Sequence, residues 1–326
     1  MQQSIPHQKK IGILTSGGDA PGMNSAIRAA VRTAVVNGVK VMGITHGYNG
    51  LITGNIGELN SRSVSETIHR GGTILRTSRC PEMMTDEGCE KAANVCKVLG
   101  LDALIVIGGD GSIRGGRDLS RHGVNVICIP ATIDLDLPCT EYTIGFDTAI
   151  NTGMEAINKI RDTSTSHERC SVVEVMGRHA GYIAMWCGIV GGAEDVLMPE
   201  RIGCEDAMIE QIMENRAKGK RHNLIIVAEG VGHAPELSKR IESLTGIETR
   251  TTILGYLQRG GSPTAVDRMH ASVMGYTAIE QFLKGEKNKV IIYKNGRYEG
   301  MDIEEALSVE RDFDMKYYDI LKVLAN

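Results

Sequence analysis

The chain has 326 residues, 42% hydrophobic and 23% charged, with 36 basic against 40 acidic side chains and a net charge of −4. That profile belongs to a soluble globular protein with room for about two domains, and without a long basic run it excludes nucleic acid and acidic membrane as expected partners. Eight cysteines without a Cys-x-x-Cys pair, with Cys96, Cys128 and Cys187 inside apolar runs, argue for reduced buried thiols in a cytoplasmic protein rather than a disulfide frame or zinc site. Residues 1–10 are polar, which predicts no signal peptide, and no stretch reaches the ~18 apolar residues of a membrane span.

In chain order, Ile11–Leu14 reads as a strand that runs into the glycine-rich turn Ser16-Gly-Gly-Asp-Ala-Pro-Gly-Met-Asn24. The next helix extends to about Asn37 with Ile27, Val31, Ala34 and Val35 as its buried stripe. Arg28 and Arg32, four apart, share another part of that helix and read either as a phosphate grip or as a solvated face. Lys40–Ile44 is a strand, followed by a predicted loop through Gly47, Gly50 and Gly54. An irregular stretch from Arg70 through Pro81 carries Arg76 and Arg79, either surface charges or phosphate contacts.

The centre of the sequence is Ala103–Ile107, apolar on both faces as in a buried parallel strand, continuing into Gly108, Gly109, Asp110, Gly111, Ser112 and a helix over 113–121. Strand, glycine turn and helix N-terminus together make a phosphate cradle, and Asp110 suits a Mg²⁺ on those phosphates; an ordinary turn with an exposed Asp is the other reading. The strand Val124–Ile129 ends in Pro130, Ala131, Thr132, Ile133, Asp134, Leu135 and Asp136. Two alternating carboxylates at a strand's C-terminal end fit a general base and a metal-side acid, or else an Asx-turn pair. A helix over 148–160 leads to Arg161 and Arg169; strands at 172–175, 223–228 and 251–254 then end in Met176-Gly177-Arg178, Glu229-Gly230 and Gly255–Pro263. Alternating strand–turn–helix units predict α/β architecture with parallel sheets. Strand ends that combine glycines, acids and arginines suit a metal–nucleotide and a phosphorylated substrate. The residues by themselves reach as far as a phosphoryl-transfer enzyme acting on a small phosphate ester.

Five ordered motifs, Ser16–Asn24, Gly108–Ser112, Pro130–Asp136, Val173–Arg178 and Leu254–Pro263, resemble those of bacterial-type ATP-dependent 6-phosphofructokinases, and the resemblance runs from Ile11 to at least Arg268. It implies two Rossmann-like three-layer αβα domains with mainly parallel sheets and an active site in the cleft between them: residues 1–145 plus 256–308 for ATP, 146–255 plus 309–326 for the sugar phosphate. It implies that fructose 6-phosphate is phosphorylated by Mg-ATP in the committed step of glycolysis, in a cytoplasmic homotetramer with shared substrate sites. Asp134 would be the base, with Thr132, Asp136 and Arg178 also catalytic and Asp110 holding Mg²⁺. Gly18, Arg79, Cys80, Gly109, Asp110, Gly111 and Ser112 would bind ATP. Thr132, Ile133, Asp134, Met176, Gly177, Arg178, Glu229, Tyr256, Leu257, Gln258 and Arg259 would bind the sugar phosphate, with Arg169 and Arg250 arriving from a neighbouring subunit. Arg28, Arg32, Arg161, Gly192, Glu194, Lys218, Lys220, Arg221 and His222 would take ADP as an allosteric effector.

The sequence departs from the family pattern at several points. Ala131 and Leu135 stand for Gly and Asn in the acid motif, Tyr256 for a His, Cys80 for an aromatic residue, and Ser61 for an effector-site Arg, with Arg62 one position off. Pyrophosphate-dependent relatives carry Asp at Gly111 and Lys at Ala131, so their absence implies ATP. A kinase for another sugar phosphate and a non-catalytic nucleotide sensor are the competing readings; turnover on a panel of sugar phosphates separates the first, and nucleotide binding without turnover marks the second.

Overall fold

The computed structural model describes residues 8–325. In order the elements are β1 (Lys10–Ser16), α1 (Met23–Val36), β2 (Lys40–Ile44), α2 (Gly47–Thr53), β3 (Ile56–Leu59), α3 (Asp86–Val98), β4 (Ala103–Gly108), α4 (Asp110–Arg121) and β5 (Val126–Pro130). Then come α5 (Phe146–Ser166), β6 (Cys170–Val175), α6 (Tyr182–Gly191), β7 (Asp195–Leu197), α7 (Glu205–Ala217), β8 (Asn223–Ala228), α8 (Ala234–Thr245) and β9 (Thr249–Ile253). The chain closes with α9 (Ala265–Leu283), β10 (Lys289–Lys294), β11 (Arg297–Asp302), α10 (Ile303–Ser308) and α11 (Lys316–Leu324). No helix among the described residues is long and apolar enough to cross a membrane.

Two units share these elements. Among the described residues, the first takes 8–132, 137–145 and 260–311; the second takes 133–136, 146–259 and 312–325. The first unit's seven-stranded sheet has the order β11-β10-β5-β4-β1-β2-β3. Its β4 is buried along its whole length, as an apolar run with no polar face requires. Leu104 and Val106 pack with Ile113 and Leu119 of α4 and Ala92 and Cys96 of α3. Ile105 and Ile107 alternate to the opposite face. There α1 and α9 lie close together: a Cβ on Gly275 would sit 2.5 Å from the Ala26 carbonyl oxygen. The second unit has a four-stranded, all-parallel sheet, β7-β8-β6-β9.

Three expectations are corrected. The segment predicted as a loop through Gly47, Gly50 and Gly54 is the short helix α2, where a Cβ on Gly50 would lie 1.6 Å from the Thr45 carbonyl oxygen. Its glycines permit close packing rather than an open turn. Val35 is 37% exposed while Ile27, Val31 and Ala34 are fully buried, so the stripe on α1 is narrower than read. The helix predicted to end at 160 continues to Ser166, because Ser164 is buried and bonded to the Ser171 hydroxyl (2.8 Å) and the Arg169 carbonyl (3.2 Å). The sheets are mainly parallel, as expected; in the larger one β3 pairs antiparallel with β2, and β11 with β10. Both lie at sheet edges, where polar residues replace the apolar run that marks a buried strand.

Candidate active site

In the first unit, three parallel strands end level. Ser16 of β1 pairs with Gly108 of β4, and Gly108 with Pro130 of β5. Chain order reverses at β1, since β2 lies on one side of it and β4 on the other. Ligands of open α/β sheets bind outside the C-terminal strand ends at such a reversal. The turn after β4 is tight: a Cβ on Gly108 would come within 2.5 Å of both the Ser16 carbonyl oxygen and the Ser112 hydroxyl. Glycine is therefore required there, and α4 begins immediately, with its first N–H groups open to an anion. Gly109 is the N-cap and Asp110 the first helical residue. Gly111 is exposed, and a Cβ on it would meet nothing within 4 Å.

Asp110 is held in place by Arg114, one turn on, whose Nε donates to both carboxylate oxygens at 3.0 and 2.8 Å. The carboxylate remains part-exposed and offers the hard oxygen donors that Mg²⁺ prefers. Among the described residues no group of three or more His, Cys, Asp or Glu forms a metal cage. One carboxylate fits a cation that keeps its waters and rides on substrate phosphates. Gly18 and Arg79 are exposed and Cys80 half-buried. Thr132 is nearly buried, and its carbonyl accepts from the Thr143 hydroxyl at 2.7 Å.

The irregular stretch from 70 is tied down by the first glycine turn. The Asn24 side chain donates to the Arg70 and Gly72 carbonyls (both 2.8 Å) and accepts from the Ile74 N–H (2.8 Å), while Asp19 accepts from the Thr73 N–H at 3.1 Å. Tyr48 had no sequence signal: its buried hydroxyl donates to the Ser112 carbonyl at 2.6 Å and supports the start of α4 from below. Burial pushes that phenol well above its ordinary pKa, so it stays a donor.

In the second unit the strand ends are also level, with Val175 of β6 opposite Ala228 of β8 and Glu174 opposite Ile253 of β9. Beyond them the Glu229 carboxylate accepts from the Gly177 N–H (3.3 Å) and the Arg178 N–H (2.5 Å). Gly230 must be glycine, because a Cβ would meet the Arg178 carbonyl oxygen at 2.4 Å. Arg178 itself takes the left-handed conformation (φ 55°), which costs a non-glycine residue about 1 kcal/mol or more. Its exposed guanidinium faces the Asp136 carboxylate, NH1 to Oδ2 3.6 Å. Leu135, between the two acids, is left-handed as well (φ 54°). Asp134 is 4% exposed and Ile133 fully buried, so Ile133 can offer a ligand only its backbone.

The segment after β9 divides its roles. Tyr256 is 84% exposed and Leu257 also exposed, while Gln258 is fully buried. The Gln258 side chain accepts from the Met176 N–H (2.8 Å) and donates to the Ala149 carbonyl (3.1 Å), so it fixes the end of β6. Arg169 and Arg250 come together on Glu248, a residue that sequence reasoning passed over. Glu248-Thr249-Arg250 on a strand was the available signal, since alternate residues share a face.

The residues named for an effector are distributed over both units. Arg28 and Arg32 are half-buried on α1 of the first. In the second, Glu194 (7% exposed) pairs with Lys220 at 2.9 Å and accepts from the Leu224 N–H. Arg161 donates to the Gly191 carbonyl beside Gly192, and Arg221 pairs with Glu168 at 3.2 Å. Lys218 is exposed and His222 half-buried.

Comparison with known proteins gives a consistent result. The family model described as Phosphofructokinase matches residues 10–282. The chain is 58% identical over 317 residues to a protein of Clostridium botulinum (strain Hall) named ATP-dependent 6-phosphofructokinase, covering 97% of this chain and 99% of that one. A protein of the same name from Clostridium acetobutylicum is 57% identical over 318 residues, with the same coverage. Among solved structures, Pichia pastoris phosphofructokinase in the T-state superposes with a TM-score of 0.87 at 32% identity, over 100% of this chain and 38% of that one.

Proposed function

The chain belongs to the phosphofructokinase family and is a kinase, and from that premise we propose that it transfers the γ-phosphoryl group of ATP to the 1-hydroxyl of fructose 6-phosphate with Asp134 as the base. As the new O–P bond forms and the bond to ADP breaks, the hydroxyl proton passes to the Asp134 carboxylate. Arg178 carries the positive charge that the transferring phosphoryl oxygens need, and Asp136 orients it. Thr132 positions the acceptor. Phosphate recognition at the sugar falls to Arg169, Arg250, Arg259 and the Tyr256 hydroxyl, with Met176, Gly177, Glu229 and Leu257 shaping the pocket. Gly18, Arg79, Cys80 and residues 109–112 hold the nucleotide, and Asp110 would hold a Mg²⁺ that supplies charge neutralisation on its phosphates.

What carries this reading is the pairing of Asp136 with a left-handed Arg178 whose backbone Glu229 pins, two residues from a buried Asp134. Preorganised charge of this kind is what phosphoryl transfer asks of a protein. The open space at Gly111 supports ATP over pyrophosphate as donor, since the acidic side chain of pyrophosphate-dependent relatives is missing there. We place the nucleotide on the first unit and the sugar phosphate on the second. Cytoplasmic location, a homotetramer in which Arg169 and Arg250 serve a neighbouring subunit's substrate, and activation by ADP at the Arg161–Lys220 cluster with Arg28 and Arg32 complete the proposal.

The test is a coupled assay for fructose 1,6-bisphosphate with Mg-ATP or Mg-pyrophosphate, on the native chain and on Asp134→Ala. ATP-dependent turnover that falls about 10²-fold or more in the variant is the expected result. Turnover with pyrophosphate alone would overturn the donor assignment. ADP added at low fructose 6-phosphate should raise the rate, and Lys220→Ala should abolish that response.

A further inference from the structure

We propose that Glu248 is a positioning residue for sugar-phosphate binding: its one carboxylate braces Arg169 and Arg250 so that both guanidinium groups are aimed before the phosphate arrives. This rests on the reading that the two arginines bind the substrate's phosphate.

The placement follows from strand geometry. In the parallel pairing of β6 with β9, Cys170 lies opposite Thr249 and Ser171 opposite Arg250. That register sets Arg169, just before β6, beside Glu248, just before β9. Glu248 and Arg250 are two apart and share a face. Glu248 is fixed at its main chain too, where its carbonyl accepts from the Cys170 N–H at 3.0 Å. Its Oε2 lies 2.7 Å from Arg169 Nε, and its Oε1 accepts from a terminal nitrogen of Arg250. The Arg169 guanidinium at that distance, with Arg250 adding to it, holds the Glu248 carboxyl below the usual range, so it remains an anion between the two cations.

The atoms engaged distinguish a brace from a plug. A guanidinium has five N–H donors in a fixed fork. Arg169 gives Glu248 its Nε edge, and Arg250 gives one terminal nitrogen. The larger part of each fork is left for a phosphate. Two arginines converging without an anion would repel each other and splay apart, and a ligand would then bear the cost of bringing them back.

The experiment is initial-rate kinetics on the full chain with Glu248→Gln, which keeps the shape and removes the charge. A brace predicts that KM for fructose 6-phosphate rises about tenfold while KM for ATP and kcat move by less than about threefold. Combining Glu248→Gln with Arg169→Gln should raise KM little beyond Arg169→Gln alone, because the brace acts through the arginine. A fall in KM would make Glu248 a competitor of the phosphate and overturn the proposal, as would an unchanged KM. A loss of kcat in step with melting temperature would show a structural role only. Should Glu248→Gln not fold, Glu248→Asp, one methylene shorter, must still raise KM for fructose 6-phosphate selectively. If the native chain fails to phosphorylate fructose 6-phosphate, the functional reading falls and takes the brace with it; if it turns over and KM does not respond, only the brace falls.

Discussion

The two units end their parallel strands in different materials. In the first, the turns after β1 and β4 are glycine and backbone, closed so tightly at Gly108 that a methyl group does not fit. In the second, the turn after β6 carries Arg178, paired with Asp136, and at the opposite, N-terminal strand ends Arg169 before β6 pairs with Glu248 before β9. Backbone N–H groups recognise any phosphate that reaches them, since every residue type carries the same donor. Side chains add charge at chosen points, which is what distinguishes one sugar phosphate from another and a transition state from a ground state. On this reading the first unit supplies a generic grip and the second supplies discrimination and chemistry.

That contrast can be broken by substitution. Asp134→Asn in the second unit should cost the most, about 10³-fold in kcat with KM for ATP nearly unchanged, measured by the coupled assay. Arg178→Gln should follow at about 10²-fold in kcat, and a rise in KM for ATP instead would assign Arg178 to the nucleotide. In the first unit the sensitive positions are steric. Gly108→Ala should lower stability by about 2 kcal/mol in denaturant unfolding, because backbone oxygen and the Ser112 hydroxyl crowd the new Cβ. Gly111→Asp has room and should leave the melting temperature in place, yet raise KM for Mg-ATP about tenfold by setting an anion beside the phosphates.

The smallest effect concerns the thiols. Burial pushes Cys139 up to about 11 and Cys96, Cys170 and Cys187 to about 12. A raised thiol pKa keeps the unreactive protonated form through neutral pH, so between pH 7 and 9 these four should not label with an alkylating reagent. Half-buried Cys80 is the position expected to label, and peptide mass mapping would show it.

Legibility in the sequence tracked burial. The stretch Asn223–Ala228 is a strand over the span read from its apolar run, and Ala103–Ile107 is buried throughout, because an apolar run between glycines permits little else. The edge strands β3 and β11 went unread, since Gly57, Glu58, Arg297 and Glu299 carry no apolar signal and pair only because a neighbour offers free backbone groups. The helix α2 was masked by glycines, of which Gly50 packs on the Thr45 carbonyl and Gly47 on that of Thr15. At the candidate site, residues just beyond strand ends are the ones a sequence reading proposes, because the α/β plan places ligands there. Tyr48 and Glu248 are not among them, since each acts through a partner 64 or 79 positions away along the chain, and only strand register or tertiary packing reveals the pairing.

The order in which the first unit is assembled along the chain has a consequence for synthesis. Its outer strands β10 and β11 and the helix α9 that covers α1 come from residues 260–311, after nearly the whole second unit. While a ribosome is still making residues 146–259, β5 has no neighbour at its outer edge, and the α1 face around Ala26 and Ala30 is uncovered. A nascent chain halted there carries an apolar surface and an unpaired strand edge, the two features that drive association between unfinished chains. Unlike a protein whose domains follow one another, this one cannot set aside a finished first half and proceed to the second. Its yield in a cell is set by how that interval is shielded as well as by the stability of the completed fold.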